Sequence, residues 1–233
     1  VGKTEVALYG LAYSIGMLVQ LFISGMNSAL TPWMYSKIKK GDIRSMRKVL
    51  QLLSIVVVGI AVALMLISPE MVLIFGSPKY REAVYVIPPV AASVFFIFIY
   101  NILSMPQFYY EKTQFLMAAS MAAAGANVVL NFIFIRLFGY IAAGYTTLAC
   151  YMLYSVGHYI VSKRILVNEG IQENLMSPGF LVACSVFLIG ASIICNLIFP
   201  YRILRYAILL ASAGLVFWKK ELLQKTMADI RKK

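Results

Sequence analysis

The sequence predicts an all-α protein, a polytopic bundle of transmembrane helices, and three observations carry that prediction. Charge is confined to short gaps. The nine acidic residues are Glu5, Asp42, Glu70, Glu82, Glu111, Glu169, Glu173, Glu221 and Asp229. Residues 6–36, 49–69, 83–110, 113–135, 137–162 and 174–201 carry no Lys, Arg, Asp or Glu, and each run reaches the ~20 residues that a helix needs to cross a bilayer. Composition agrees: 61% of residues are apolar, 13% are charged and the mean hydropathy is +0.83, whereas a soluble domain carries about a quarter charged residues. Finally, the basic residues behind the net charge of +12 cluster beside the apolar runs, not on a groove-reading helix, which argues against a nucleic-acid partner. Backbone N–H and C=O groups find no water in lipid, so such runs become helices.

Seven helices are expected, over about 7–35, 49–68, 83–105, 114–136, 140–161, 180–199 and 203–218. The first six each occupy one charge-free run. The seventh has 13 uncharged residues between Arg205 and Lys219, and it spans if Arg205 snorkels outward and Trp218 anchors at the interface. Orientation follows from the alternate gaps. Fifteen of the 21 basic residues fall on one side: the loop from Lys37 to Lys48, then Lys112, Lys163 and Arg164, and the tail from Lys219 to Lys233. Lys3, Lys79, Arg81, Arg136, Arg202 and Arg205 fall on the other. The basic-rich side is read as cytoplasmic, the C-terminus included. The chain begins Val-Gly-Lys and shows no signal peptide, so it is read as a piece of a longer protein.

Metal and redox chemistry find little material. Cys150, Cys184 and Cys195 lie inside apolar spans, there is no C-x-x-C, and there is one histidine; neither a metal nor a cofactor is expected. The run Ala118-Ala119-Ser120-Met121-Ala122-Ala123-Ala124-Gly125-Ala126 predicts a tight helix–helix contact at Ala119, Ala123 and Ala126.

Polar residues mark the candidate site. Tyr13, Gln20, Ser24, Asn27 and Thr31, at spacings of 7, 4, 3 and 4, share one face of the first helix. Such a stripe turns toward neighbouring helices or a water-filled cavity, not toward lipid. Thr147, Tyr151, Tyr154 and His158 form a second stripe at spacings of 4, 3 and 4. His158, near the cytoplasmic end, reads either as an interfacial residue or as a proton or phosphate site. Asn127 with Asn131, and Asn101 with Ser104, can bond across helices or meet a sugar hydroxyl. No carboxylate falls within an expected span, so an intramembrane acid relay is unsupported. No catalytic constellation is present, and the protein is not expected to be an enzyme.

The segment Leu130-Asn131-Phe132-Ile133-Phe134-Ile135-Arg136-Leu137-Phe138-Gly139-Tyr140-Ile141-Ala142-Ala143-Gly144-Tyr145-Thr146-Thr147-Leu148 resembles the L-N-x-x-x-I-P-x-x-G-x-x-G-A-A-x-A-T-x signature of bacterial polysaccharide flippases. These belong to the multidrug/oligosaccharidyl-lipid/polysaccharide exporter superfamily. Glu5-Val6-Ala7-Leu8-Tyr9 followed by Ala12-Tyr13 resembles that family's entry to its eighth helix. Ser28-Ala29-Leu30-Thr31-Pro32 resembles the helix's end, and Lys79-Tyr80, Ala83 and Pro88 resemble the entry to the tenth. Arg136 departs from the usual Pro, and Ala142-Ala143-Gly144 permutes the usual G-A-A.

The resemblance covers about residues 1–165 and implies most of the second lobe of a fourteen-helix, two-lobe transporter. Residues 166–233 would then be an extra helix pair and a basic tail. It implies a flippase of the bacterial cytoplasmic membrane, working by alternating access. The substrate would be an undecaprenyl-diphosphate-linked oligosaccharide for capsule, exopolysaccharide or O-antigen synthesis. Expected partners are that lipid-linked glycan, membrane lipid, the absent N-terminal lobe, and a polysaccharide polymerase and glycosyltransferases. The substrate-cavity candidates are Tyr13, Gln20, Ser24, Asn27, Thr31, Asn101, Asn127, Asn131, Tyr151 and His158. A cation-coupled multidrug exporter of the same fold, and a non-transporting scaffold of a glycan-synthesis complex, are the alternatives.

Overall fold

The computed structural model describes residues 2–218. Among them the regular elements are helical: α1 Lys3–Gly16, α2 Leu18–Lys39, α3 Ile43–Phe75, α4 Ile87–Tyr109, α5 Gln114–Phe138, α6 Ala142–Asn168, α7 Pro178–Ile198 and α8 Arg202–Trp218. A 3₁₀ helix over Pro78–Tyr85 joins α3 to α4.

Eight α-helices stand where seven were expected, because the first span is broken. Met17, at φ −82° and ψ −2°, stays in the right-handed helical region but forms a one-residue turn between α1 and α2. Gly16 stands beside it. A Cβ there would lie 2.6 Å from Cγ1 of Val90, so only glycine lets the backbone approach α4 this closely. The two halves then pack on α4 separately.

Five segments are long and apolar enough to cross a membrane: Lys3–Lys39 taken as one, Ile43–Phe75, Ile87–Tyr109, Gln114–Phe138 and Pro178–Ile198. α6 carries Thr146, Thr147, Ser155 and His158 among its buried residues, and α8 is described over 17 residues, to Trp218. The 33 residues of α3 extend ~50 Å at the α-helical rise. That exceeds a hydrocarbon core ~30 Å thick, so α3 tilts or projects beyond it. The turn that feeds α3 is fixed by charge. Lys37, 5% exposed, lies 2.5 Å from Asp42, whose carboxylate also caps the Ser45 N–H at 3.3 Å. Gly41 supplies the left-handed backbone (φ +67°) that the turn requires.

α3 ends at Phe75, not near residue 68 as expected, and this brings a carboxylate into the helix. Pro69 lies inside α3 and lacks the N–H that would reach the Met65 carbonyl. The Ser68 hydroxyl donates to that carbonyl instead, at 2.8 Å, so the helix continues past the proline. Glu70 follows, and α8 meets it. Arg205 donates to both Glu70 carboxylate oxygens at 2.8 and 2.9 Å and to the Leu66 carbonyl at 2.6 Å. Tyr206 donates to the same carboxylate at 2.9 Å. Arg205 therefore does not snorkel: it is 3% exposed and pins α8 to α3. Glu70, which the expected span 49–68 left in the gap that follows it, thus lies inside the helix. The roles expected of the Trp218 side chain and of the tail 219–233 fall outside the described residues.

α4 is the central helix, packed against α1, α2, α3, α6 and α7. Its core residues include Phe95 and Phe98, both fully buried. Gly144 of α6 approaches it as Gly16 does, since a Cβ there would meet Pro89 at 2.9 Å and Val86 at 3.2 Å. α5 packs chiefly on α6 and buries no residue. The residues expected to make a tight contact, Ala119, Ala123 and Ala126, are half-buried and turn toward α6, where they line a groove of about 450 Å³ between the two helices.

Candidate functional site

The most polar of the larger cavities lies among α1, α4, α5 and α6, with a volume of about 560 Å³. Its walls carry five tyrosines: Tyr9 and Tyr13 from α1, Tyr100 from α4, and Tyr151 and Tyr154 from α6. Ser120, Asn127 and Thr147 add hydroxyl and amide groups, and no Lys, Arg, Asp or Glu lines it.

Helical spacing places the tyrosines. Tyr9 and Tyr13 are four residues apart on α1, with ring centroids 5.8 Å apart. The Tyr9 hydroxyl lies 3.2 Å from the Thr147 hydroxyl, tying α1 to α6. Tyr100 stacks with Tyr151, at 6.3 Å and an interplanar angle of 3°, and meets Tyr154 edge-on at 4.7 Å. Stacked and edge-to-face pairs hold aromatic walls in place while leaving hydroxyls free to bond.

α5 closes one side through polar rungs to α6. The Ser120 and Tyr154 hydroxyls are 2.8 Å apart, the Asn127 amide donates to Cys150 Sγ at 3.7 Å, and the Thr146 hydroxyl donates to Asn131 Oδ1 at 2.5 Å. Asn131 in turn donates to Asn127 Oδ1 at 2.9 Å. Of the two asparagines, Asn127 lines the cavity while Asn131 is occupied in this ladder.

His158 stands behind the cavity wall. It is fully buried within the bundle. Gln107 of α4 lies against it, with Nε2 2.8 Å from Nδ1.

The structure thus gathers Tyr13, Asn127 and Tyr151 from the sequence candidates into one cavity, together with Thr147 and Tyr154 of the second stripe. It does not bring the rest of the first stripe there. Gln20, Ser24, Asn27 and Thr31 lie on α2, beyond the break at Met17. Ser24 and Thr31 turn their hydroxyls back to the Gln20 and Asn27 carbonyls at 3.0 and 2.8 Å. Asn101 likewise donates to the Ile97 carbonyl of its own helix at 2.8 Å. Tyr9, Tyr100 and Ser120 are lining residues that periodicity did not single out. Tyr9 stands four residues before Tyr13 and was within reach of the same spacing; Tyr100 and Ser120 needed the tertiary packing.

The described residues hold no cluster of His, Cys, Asp and Glu suited to a metal ion. Cys150, Cys184 and Cys195 are free thiols.

Comparison with known proteins places the chain. The family model described as MatE matches residues 1–133. A protein of Haemophilus influenzae described as an uncharacterized membrane protein is 31% identical over 120 residues, covering 48% of this chain and 28% of that relative. The chain thus matches over less than a third of the relative's length. No solved structure matches it.

Proposed function

The chain belongs to the MatE family, a family of membrane transporters, and we propose that within it the protein moves a lipid-linked oligosaccharide across the bacterial cytoplasmic membrane. The observation that carries this reading is the uncharged, tyrosine-walled cavity formed by Tyr9, Tyr13, Tyr100, Tyr151 and Tyr154. A glycan entering the bilayer must replace its hydration with protein hydrogen bonds, because unpaired hydroxyls are expensive in an apolar medium. The donors and acceptors left over on the cavity's hydroxyls beyond the Tyr9–Thr147 and Ser120–Tyr154 pairs supply those bonds, and the ring faces supply flat apolar surfaces for the sugar rings. No cation lines the cavity, so a diphosphate linker has no counter-charge here and would be held elsewhere in the complete transporter. Alternating access would come from this helical body working against a second one. The basic-rich turn at Lys37–Lys48 would face the cytoplasm. Residues 166–233 would form an added helix pair and tail.

One observation favours a second reading. Aromatic faces also attract organic cations, so the same five tyrosines suit a cationic drug. The two readings separate in the full-length protein. Tyr151→Ala and Asn127→Leu are expected to reduce delivery of lipid-linked glycan to the outer leaflet at least about tenfold, the effect of losing ~1.4 kcal/mol of binding, at normal membrane expression. Full glycan delivery by the double variant would overturn the glycan reading. Loss of resistance to cationic drugs with glycan delivery intact would establish the second.

A further inference from the structure

We propose that His158 is a proton-binding site whose occupancy is linked to the packing of α4 against α6 beside the tyrosine-walled cavity. The site rests on the geometry of two buried side chains and does not depend on which substrate the cavity takes.

His158 and Gln107 are both 0% exposed. The Gln107 amide nitrogen lies 2.8 Å from His158 Nδ1 and 3.3 Å from the Leu103 carbonyl, donating to both. With Nδ1 accepting, the neutral imidazole keeps its own proton at Nε2. That Nε2 has no hydrogen-bond partner, and neither has Gln107 Oε1. A donor on one side chain and an acceptor on the other are therefore buried and unpaired, which costs stability that an apolar pair of similar volume would not.

A second protonation state uses one of these idle groups. A proton taken from water adds to Nδ1 and makes it a donor. Gln107 then turns its amide so that Oε1, idle in the neutral state, accepts. The O–H bond of the hydronium ion that delivers the proton breaks and leaves water, the N–H bond forms at Nδ1, and the Gln107 amide nitrogen gives up its hydrogen bond to the Leu103 carbonyl.

The surroundings decide what that added charge does. The titratable groups facing the imidazole are the phenols of Tyr100 from α4, at 5.8 Å between ring centroids, and of Tyr154 from its own helix, at 4.5 Å. α5 presents the Phe115 ring at 5.4 Å. Phenols are neutral at physiological pH, so none of these groups offers a counter-charge. An imidazolium in this packing is desolvated without compensation. Protonation thus favours any arrangement in which α4 and α6 part enough to admit water to the ring, and such parting favours proton uptake. Tyr100 and Tyr154 pack on the imidazole with one part of the ring and wall the cavity with another. The same movement would therefore reshape the cavity.

The test uses the full-length protein in lipid nanodiscs, with ¹⁵N-labelled histidine titrated from about pH 8 to about pH 3. The signal that His158→Gln removes is assigned to this residue. Hydrogen exchange is followed in parallel over 100–109 and 150–162. The expected result is the neutral Nε2–H tautomer at high pH and the imidazolium at low pH. Exchange in both segments should accelerate about tenfold across the titration, equivalent to ~1.4 kcal/mol of linkage. His158→Gln keeps an amide opposite Gln107 and should show no such acid response. A ring that stays neutral to the lowest pH would overturn the proposal. So would a ring that titrates while exchange stays unchanged, because the site would then not be linked to packing. Both of these outcomes are read from the wild-type protein and stand even if the variant fails to fold.

Discussion

α4 and α5 are near twins in sequence terms, with 23 and 25 residues and similar hydropathy, yet 89% of the most apolar window of α4 is buried in the bundle and none of that of α5. Hydropathy identifies both as spans and cannot rank them, because lipid tails are as apolar as a protein core and exert no hydrophobic force between helices. What separates them is how closely a neighbour's backbone can come. α4 receives Gly16 of α1 against Val90, and Gly144 of α6 against Val86 and Pro89. α5 brings its own small residues, but Gly125 has nothing within 4 Å, and the alanines around it border open space. α5 is attached by neutral hydrogen bonds from Ser120, Asn127 and Asn131. A run of small residues is thus permission for close packing, which the partner helix must take up.

α8 carries polar attachment to its extreme, and the largest expected effect lies there. Arg205→Ala removes a guanidinium that bonds Glu70 and the Leu66 carbonyl. Breaking one side of a buried ion pair costs about 3–5 kcal/mol, and the lower end is expected because Glu70 is 26% exposed. Thermal unfolding in detergent should show the loss, and the apolar double variant Glu70→Leu with Arg205→Met should recover most of it. A single variant as stable as wild type would mean that α8 docks by shape alone.

The close approach to α4 comes next. At Gly144 even a Cβ would lie 2.9 Å from Pro89 and 3.2 Å from the Val86 carbonyl oxygen, and neither a proline ring nor a backbone can swing away. Gly144→Leu is expected to cost about 1–3 kcal/mol by overpacking, read as a fall in folded yield on size exclusion. If it were tolerated as well as Gly125→Leu, the contrast between α4 and α5 would collapse.

The legible part of the structure follows the same division. Every expected span is helical, because charge-free length is a local property of the chain. The site was legible where periodicity alone sufficed, at Tyr13, Tyr151 and Tyr154. It was not legible across the turn at Met17, beside which Gly16 packs on Val90, more than seventy residues away. Nor could the sequence reveal that Arg205 turns inward. An Arg near a helix end reads as a snorkelling residue until Glu70 is placed beside it, and that placement required α3 to continue through Pro69 with the help of Ser68.

The rungs of α5 should yield a smaller effect. Asn131→Leu removes the acceptor of the Thr146 hydroxyl and the donor to Asn127. Interhelical hydrogen bonds in membranes average about 0.6 kcal/mol. A loss of about 0.5–1 kcal/mol is expected, since of the two bonds only that from Thr146 crosses between helices and the Thr146 hydroxyl still reaches the Ala143 carbonyl at 3.0 Å. A larger loss would show that these rungs, and not the contacts of α4, set the position of the cavity wall.

The smallest effect is expected at Gly125. In the middle of α5, with no atom in the way of a Cβ, Gly125→Ala meets no steric penalty and gains helix propensity of up to about 1 kcal/mol as measured in water. In lipid the unfolded reference keeps more of its helix, so a change within about 0.5 kcal/mol of zero is expected. The outward residues Met117, Met121, Val128 and Phe132 are more than half exposed, and tryptophan at each should be equally harmless if lipid is what they face. Thermal unfolding of the full-length protein distinguishes the cases. A penalty confined to one side of this row would mean that another protein segment covers α5 in the membrane. The contrast with α4 would then be one of partner, since both helices would be buried. Uniform tolerance would leave α5 as a wall held by its polar rungs alone, free to move against α6 at the edge of the cavity.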